Sequence, residues 1–154
     1  MKNLSKILFA FLIIAVNGCN SELQSPQILC FSPPVGFGFE IVDKTTGADL
    51  FANGTYQSDQ NQIAILDLAS NSKIPYTLAT ENGIYTIRIN SIGWKTEKIN
   101  YSISINEKYI FGLYVDASRI SDNHCSYTKF NEILIKNSEF EFNQNTGIYK
   151  ILVP

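Results

Sequence analysis

The chain has 154 residues, with 12 basic and 14 acidic side chains and a formal net charge of −2. This balance, with no basic run, excludes the phosphate-neutralising surface on which nucleic-acid binding depends. Three cysteines, one histidine and one tryptophan leave little for thiol, imidazole or metal chemistry, while a hydrophobic content of 45% suffices for one core.

Taken in chain order, the first element carries Lys2 and Lys6 followed by the uncharged apolar run Ile7–Val16. A helix needs about 20 apolar residues to cross a bilayer, so this run predicts an export signal rather than a span. It ends in Val16-Asn17-Gly18-Cys19, which resembles the lipobox of bacterial lipoproteins: aliphatic, tolerant, small, then cysteine. The resemblance implies cleavage before Cys19 and diacylglycerol on its sulfur, so that the mature chain is held at a membrane. An ordinary secretory signal with an incidental cysteine is the competing reading. Each buried methylene contributes about 0.8 kcal/mol, so two or three acyl chains would make a lasting anchor.

Asn20–Leu29 is polar and aperiodic and reads as a tether, and Pro33-Pro34 blocks helix beyond it. The expected layout is a signal peptide over 1–18, a lipidated cysteine and tether over 19–34, and a β-sandwich domain over 35–154. The mature chain of 136 residues has the size of one domain and a charge of about −4. Similar lipoproteins of the Bacteroidota reach the cell surface when acids cluster just after the cysteine. Here Asn20-Ser21-Glu22-Leu23 supplies one acid. The expected location is therefore the outer membrane, lipid-anchored and periplasm-facing, with surface exposure left open. With Cys19 lipidated, Cys30 and Cys125 remain as an even pair in an oxidising compartment, and a Cys30–Cys125 disulfide is expected. Two separate buried thiols are the alternative.

The remainder reads as strands, rich in Ile, Tyr, Phe and Thr and punctuated by Asn, Gly, Ser and Asp. Gly36–Asp43 comes first, with Phe37, Phe39 and Ile41 inward. Asp43-Lys44-Thr45-Thr46-Gly47-Ala48-Asp49 follows as a tight turn in which Gly47 takes a positive φ. The segment Val42–Tyr56 (VDKTTGADLFANGTY) resembles loops of small lipoproteins of Bacteroidota, a likeness that carries no known activity. Gln62–Leu68 is the next strand. Tyr76–Glu81 and Ile84–Asn90 flank Asn82-Gly83, the favoured type I′ hairpin turn. A two-residue loop sets Thr80 opposite Tyr85, Leu78 opposite Ile87 and Tyr76 opposite Ile89. The alternate face pairs Ala79 with Thr86 and Thr77 with Arg88.

A second hairpin joins the alternating run Ile99–Ile105 to Tyr109–Val115 through a three-residue loop, Asn106–Lys108. That loop places Ile103 opposite Phe111 and Tyr101 opposite Leu113, and the run around Phe111 reads as mid-sheet. Tyr127–Lys136, Glu139–Phe142 and Ile148–Val153 complete the set. Roughly eight short strands predict an all-β fold, an antiparallel sandwich of immunoglobulin-like or related type, with a small barrel as the alternative.

Chemistry-bearing motifs are scarce. No nucleophile elbow, zinc-protease helix or phosphate loop is present. His124, beside Cys125, reads as a loop residue. Two cysteines and one histidine do not make a zinc site, and Asp43, Asp49, Asp116 and Asp122 read as solvated turn acids rather than calcium ligands. No cofactor, metal or catalytic residue is expected. A carboxylate pair acting on glycans remains the enzymatic alternative, and a hydrophobic-ligand carrier is a further one. Trp94, in the loop Ser91-Ile92-Gly93-Trp94-Lys95, is the candidate ligand contact, stacking on a sugar or a protein side chain; folding over the sandwich end is its structural alternative. The expected function is a non-catalytic binding or structural module. Its expected partners are the lipid bilayer, through acylated Cys19, and an envelope protein or glycan.

Overall fold

A computed structural model describes residues 30–122 and 125–154. The signal segment, Cys19, the tether as far as Leu29, and His124 lie outside the described residues.

The described chain forms ten strands: β1 (Cys30–Phe31), β2 (Phe37–Asp43), β3 (Ile63–Asp67), β4 (Thr77–Glu81), β5 (Ile84–Ile89), β6 (Glu97–Ile105), β7 (Lys108–Asp122), β8 (Cys125–Lys136), β9 (Glu139–Asn143) and β10 (Ile148–Val153). They assemble into two five-stranded sheets, ordered β1-β8-β7-β6-β3 and β4-β5-β2-β10-β9. This is the expected sandwich, and the two sheets do not close into one barrel. Six of the strand pairings are antiparallel, while β1 with β8 and β2 with β10 are parallel. A parallel pair needs a long crossover, so neither was visible in local turn signals.

Alternation explains the core. Phe37, Phe39 and Ile41 of β2 point inward and are buried, as are Ile103 of β6, Phe111, Leu113 and Val115 of β7, and Ile151 of β10. The Phe39 ring lies 5.0 Å from Phe111 across the sandwich, and Phe37 meets Phe130 of β8 edge-on at 5.3 Å. Side chains thus fill the space between the sheets.

The β4–β5 hairpin has the expected register, from Thr77↔Arg88 to Thr80↔Tyr85. Asn82 and Gly83 both take positive φ, 52° and 78°. The ladder begins at Thr77, however, and Tyr76 is not part of it: its hydroxyl donates to the Ile63 carbonyl at 3.3 Å instead. In the β6–β7 hairpin the pairs Ile103↔Phe111 and Tyr101↔Leu113 form as expected. The turn itself differs. It is the two-residue Asn106-Glu107, with φ of 51° and 63°, and Ile105 pairs with Lys108. A bulge between Ile103 and Ser104 in the ladder restores the offset that a three-residue loop would have produced.

β7 does not stop at Val115. It runs on to Asp122, paired with β8 throughout. Asp116 therefore stands within a strand rather than beside a turn, because a long partner strand overrides the polar composition of this stretch, and Asp122 is that strand's last residue. The β7–β8 ribbon projects past the start of β6, which meets Ala117. We call this end, with Cys125 and the start of β2, the near pole. The ends of β2, β8 and β10 mark the far pole.

Cys30 and Cys125 stand opposite one another in the β1–β8 ladder with Cα atoms 4.5 Å apart, and form a disulfide across 95 residues. Two residues of the expected tether are thus strand, fastened to the sheet.

Candidate functional site

Trp94 lies in the loop from β5 to β6, at the near pole. Ile92 anchors that loop in the core. Gly93, at φ 88°, lets the backbone turn against the ribbon: a Cβ there would lie 2.8 Å from Thr128 Cγ2 and 3.1 Å from Pro34 Cβ. The Trp94 indole N–H donates to the Asn90 carbonyl at 2.7 Å, and its ring stacks on Phe31 with centroids 6.0 Å apart. Half of Trp94 (51%) and more of Phe31 (60%) remain open to solvent. Trp94 therefore folds over the sandwich end while keeping one face free.

Arg119 of β7 holds this arrangement. Its guanidinium donates to the Ser32 carbonyl at 2.9 Å, to Thr128 Oγ1 at 2.8 Å and to Ser126 Oγ at 2.8 Å, and lies 4.9 Å from the Phe31 ring centroid. The Thr128 hydroxyl in turn donates to the Gly93 carbonyl at 2.6 Å. The clasp thus joins β1, β7, β8 and the Trp94 loop. Neither Phe31 nor Arg119 stood out in the sequence. Phe31 followed a tether and preceded two prolines, and Arg119 lay in a polar stretch.

Three of the four acids weighed as cation ligands, Asp43, Asp49 and Asp116, are occupied locally. One Asp43 oxygen accepts from the Thr45 and Thr46 backbone N–H groups and from the Thr46 hydroxyl. The two Thr46 hydrogen bonds hold the Asp43 carboxyl below its ordinary value. Asp49 accepts from Phe51 and Ala52 N–H on one oxygen and from Tyr85 N–H at 2.7 Å on the other. Asp116 accepts from Asn131 and pairs with Lys98 at 3.0 Å, and both contacts lower its pKa. Among the described residues no cluster of three His, Cys, Asp or Glu side chains could hold a metal ion.

Each pole also carries a cleft. At the near pole Val35–Gly38, Arg88, Asn90 and Thr146–Ile148 surround about 220 Å³. At the far pole Lys44, Lys108–Ile110, Asn137–Glu139 and Leu152–Pro154 line a groove of about 590 Å³. The near cleft has no carboxylate side chain. The far groove has one, Glu139, in an ion pair with Lys44. These walls come from turns distant in sequence, so no local pattern signalled them. No family model matches the chain, and no curated protein or solved structure does either.

Proposed function

We propose that this protein is a lipid-anchored envelope module that binds or braces another envelope component without catalysing a reaction. The observation supporting this reading is where the chain joins the domain. β1 is bonded to β8 at the near pole, so the described chain begins at that pole. Cys19, the proposed lipid carrier, stands eleven residues before it, a reach of at most about 40 Å. The domain is then kept close to the bilayer, with the Phe31–Trp94 face near the anchor and the far groove as a second surface for a protein or glycan. A glycan-cleaving enzyme needs two carboxylates facing one cleft, and neither polar cleft brings two together. A ligand carrier needs interior volume, and the interior holds Phe39, Phe111 and their neighbours.

Replacing Cys19 with Ser and labelling cells with radioactive palmitate tests the anchor. Loss of label and release from the membrane fraction are expected. Unchanged label and fractionation refute it. Binding is tested separately, with a photo-crosslinker at Tyr109 in the far groove. A discrete envelope protein or glycan adduct is expected, and its absence across growth conditions counts against a binding role.

A further inference from the structure

The two flanks of the sandwich are finished differently. On one flank the outer edge of β3 is sealed by the chain's own return. Asp67 N–H donates to the Ser72 carbonyl and Ile74 N–H to the Ile65 carbonyl, both at 2.9 Å, and Leu66 bridges Lys73. On the opposite flank β1 covers only the first two residues of β8, with Ser32 N–H reaching Ser126. From Tyr127 to Lys136 the outer edge of β8 has no strand partner among the described residues. The neighbouring edge strand β9, joined to β8 by Asn137-Ser138, leaves its inward residues Phe140 and Phe142 43% and 46% exposed. A row of unpaired backbone groups beside apolar side chains is a template for another strand.

The first half of this edge is blunted by Lys129 and by a bulge at Asn131. The second half is not. It reads Glu132-Ile133-Leu134-Ile135-Lys136, with no proline, glycine or bulge. Laid antiparallel on itself about Leu134, this segment is self-complementary: Glu132 faces Lys136, Ile133 faces Ile135, and Leu134 faces Leu134. Across the ladder Glu132 stands opposite Asp116; Lys98 pairs with Asp116 at 3.0 Å and feels the Glu132 charge as well, but Glu132 has no ion pair of its own within 4.0 Å among the described residues.

We infer that β8 pairs with β8 of a second copy of this chain, centred on Leu134, merging two five-stranded sheets into one of ten. Such a two-fold contact is isologous and closes on itself. It covers the edge of the β8 sheet left open among the described residues and places the partner beside Phe140 and Phe142. Because the strands run in opposite directions, the two Cys125 ends lie about 60 Å apart at 3.3 Å per residue. The inference does not require that Cys19 carry lipid.

The test uses the full chain in whole cells, so that it does not depend on membrane attachment. Leu134→Cys is oxidised or treated with a short bis-maleimide, with the unsubstituted chain as background and Ser102→Cys, on β6 away from the edge, as control. A homodimer band is expected from Leu134→Cys alone. Adding Glu132→Lys turns two opposite-charge pairs into two like-charge pairs and lowers the dimer fraction roughly tenfold. Adding Lys136→Glu as well restores it. A merely structural role for Glu132 would not be rescued in this way. The inference is overturned by the absence of a homodimer, by a fraction that ignores the charge reversal, or by an adduct to a different protein.

Discussion

Removing the Cys30–Cys125 bridge with paired Cys30→Ala and Cys125→Ala substitutions separates what the bond does to the folded chain from what it does to the unfolded one. The folded state keeps much of its local fastening: Phe31 remains opposite Ser126, Ser32 N–H reaches the Ser126 carbonyl at 2.9 Å, and Arg119 still holds Ser32. The unfolded chain loses a closed loop of 95 residues. The chain-entropy relation assigns such a loop roughly 4–5 kcal/mol. Domains of this size are stable by about 5–15 kcal/mol, so the variant should sit close to the margin. Urea unfolding, followed through Trp94 and far-ultraviolet circular dichroism, should show the midpoint falling by that free energy. The slope should rise, because an uncrosslinked denatured chain exposes more surface. A loss under about 1 kcal/mol, far below the loop-entropy value, would refute the reasoning. So would a full loss with no change of slope, which would place the effect in the folded state.

Three further outcomes are expected. Glu107→Gly should stabilise the domain by about 0.5–1 kcal/mol, since Glu107 holds a left-handed φ of 63° that glycine adopts freely, as Gly83 does in the other hairpin; an unchanged or lower urea midpoint contradicts this. Arg119→Met removes the hydrogen bonds to Ser32, Ser126 and Thr128, and should cost about 1–3 kcal/mol and shift Trp94 emission to the red; an unaltered spectrum would show that the clasp does not hold the indole. Asp43 has a folded pKa below its ordinary value of 3.8 because of the Thr46 and Thr45 hydrogen bonds. The stability it lends is complete above that ordinary value and disappears as pH falls through the lowered one. Asp43→Asn should therefore flatten the acid limb of a urea-midpoint profile below pH 4, and an identical limb would remove Asp43 from acid unfolding.

Local chemistry was legible and long-range pairing was not. Asn82-Gly83, flanked by alternating apolar residues, determines its own register, and so that hairpin could be laid out pair by pair. The β6–β7 register was correct past Ile103 although the turn was misread, because a shorter loop plus a bulge gives the same offset. β7 beyond Val115 had no apolar alternation to announce it, and its strand state comes from β8. β1 is two residues long and exists through its partner strand and the disulfide, so it looked like tether. At the site, Trp94 was found because it is a lone tryptophan in a loop. Arg119 and Phe31 were missed because the clasp joins residues up to 88 positions apart, Phe31 to Arg119. The far groove is assembled from four separate turns and chain ends, which no single window contains.

The sulfur bridge at the first strand also decides how the molecule carries a mechanical load. Tension arriving along the N-terminal segment passes at Cys30 directly into β8, bypassing the 94 residues in between. Only the strands after Cys125 lie between such a pull and anything gripping the C-terminal residues. The strands up to β7 are thereby removed from the line of force, which runs only through the last 30 residues, Cys125–Pro154.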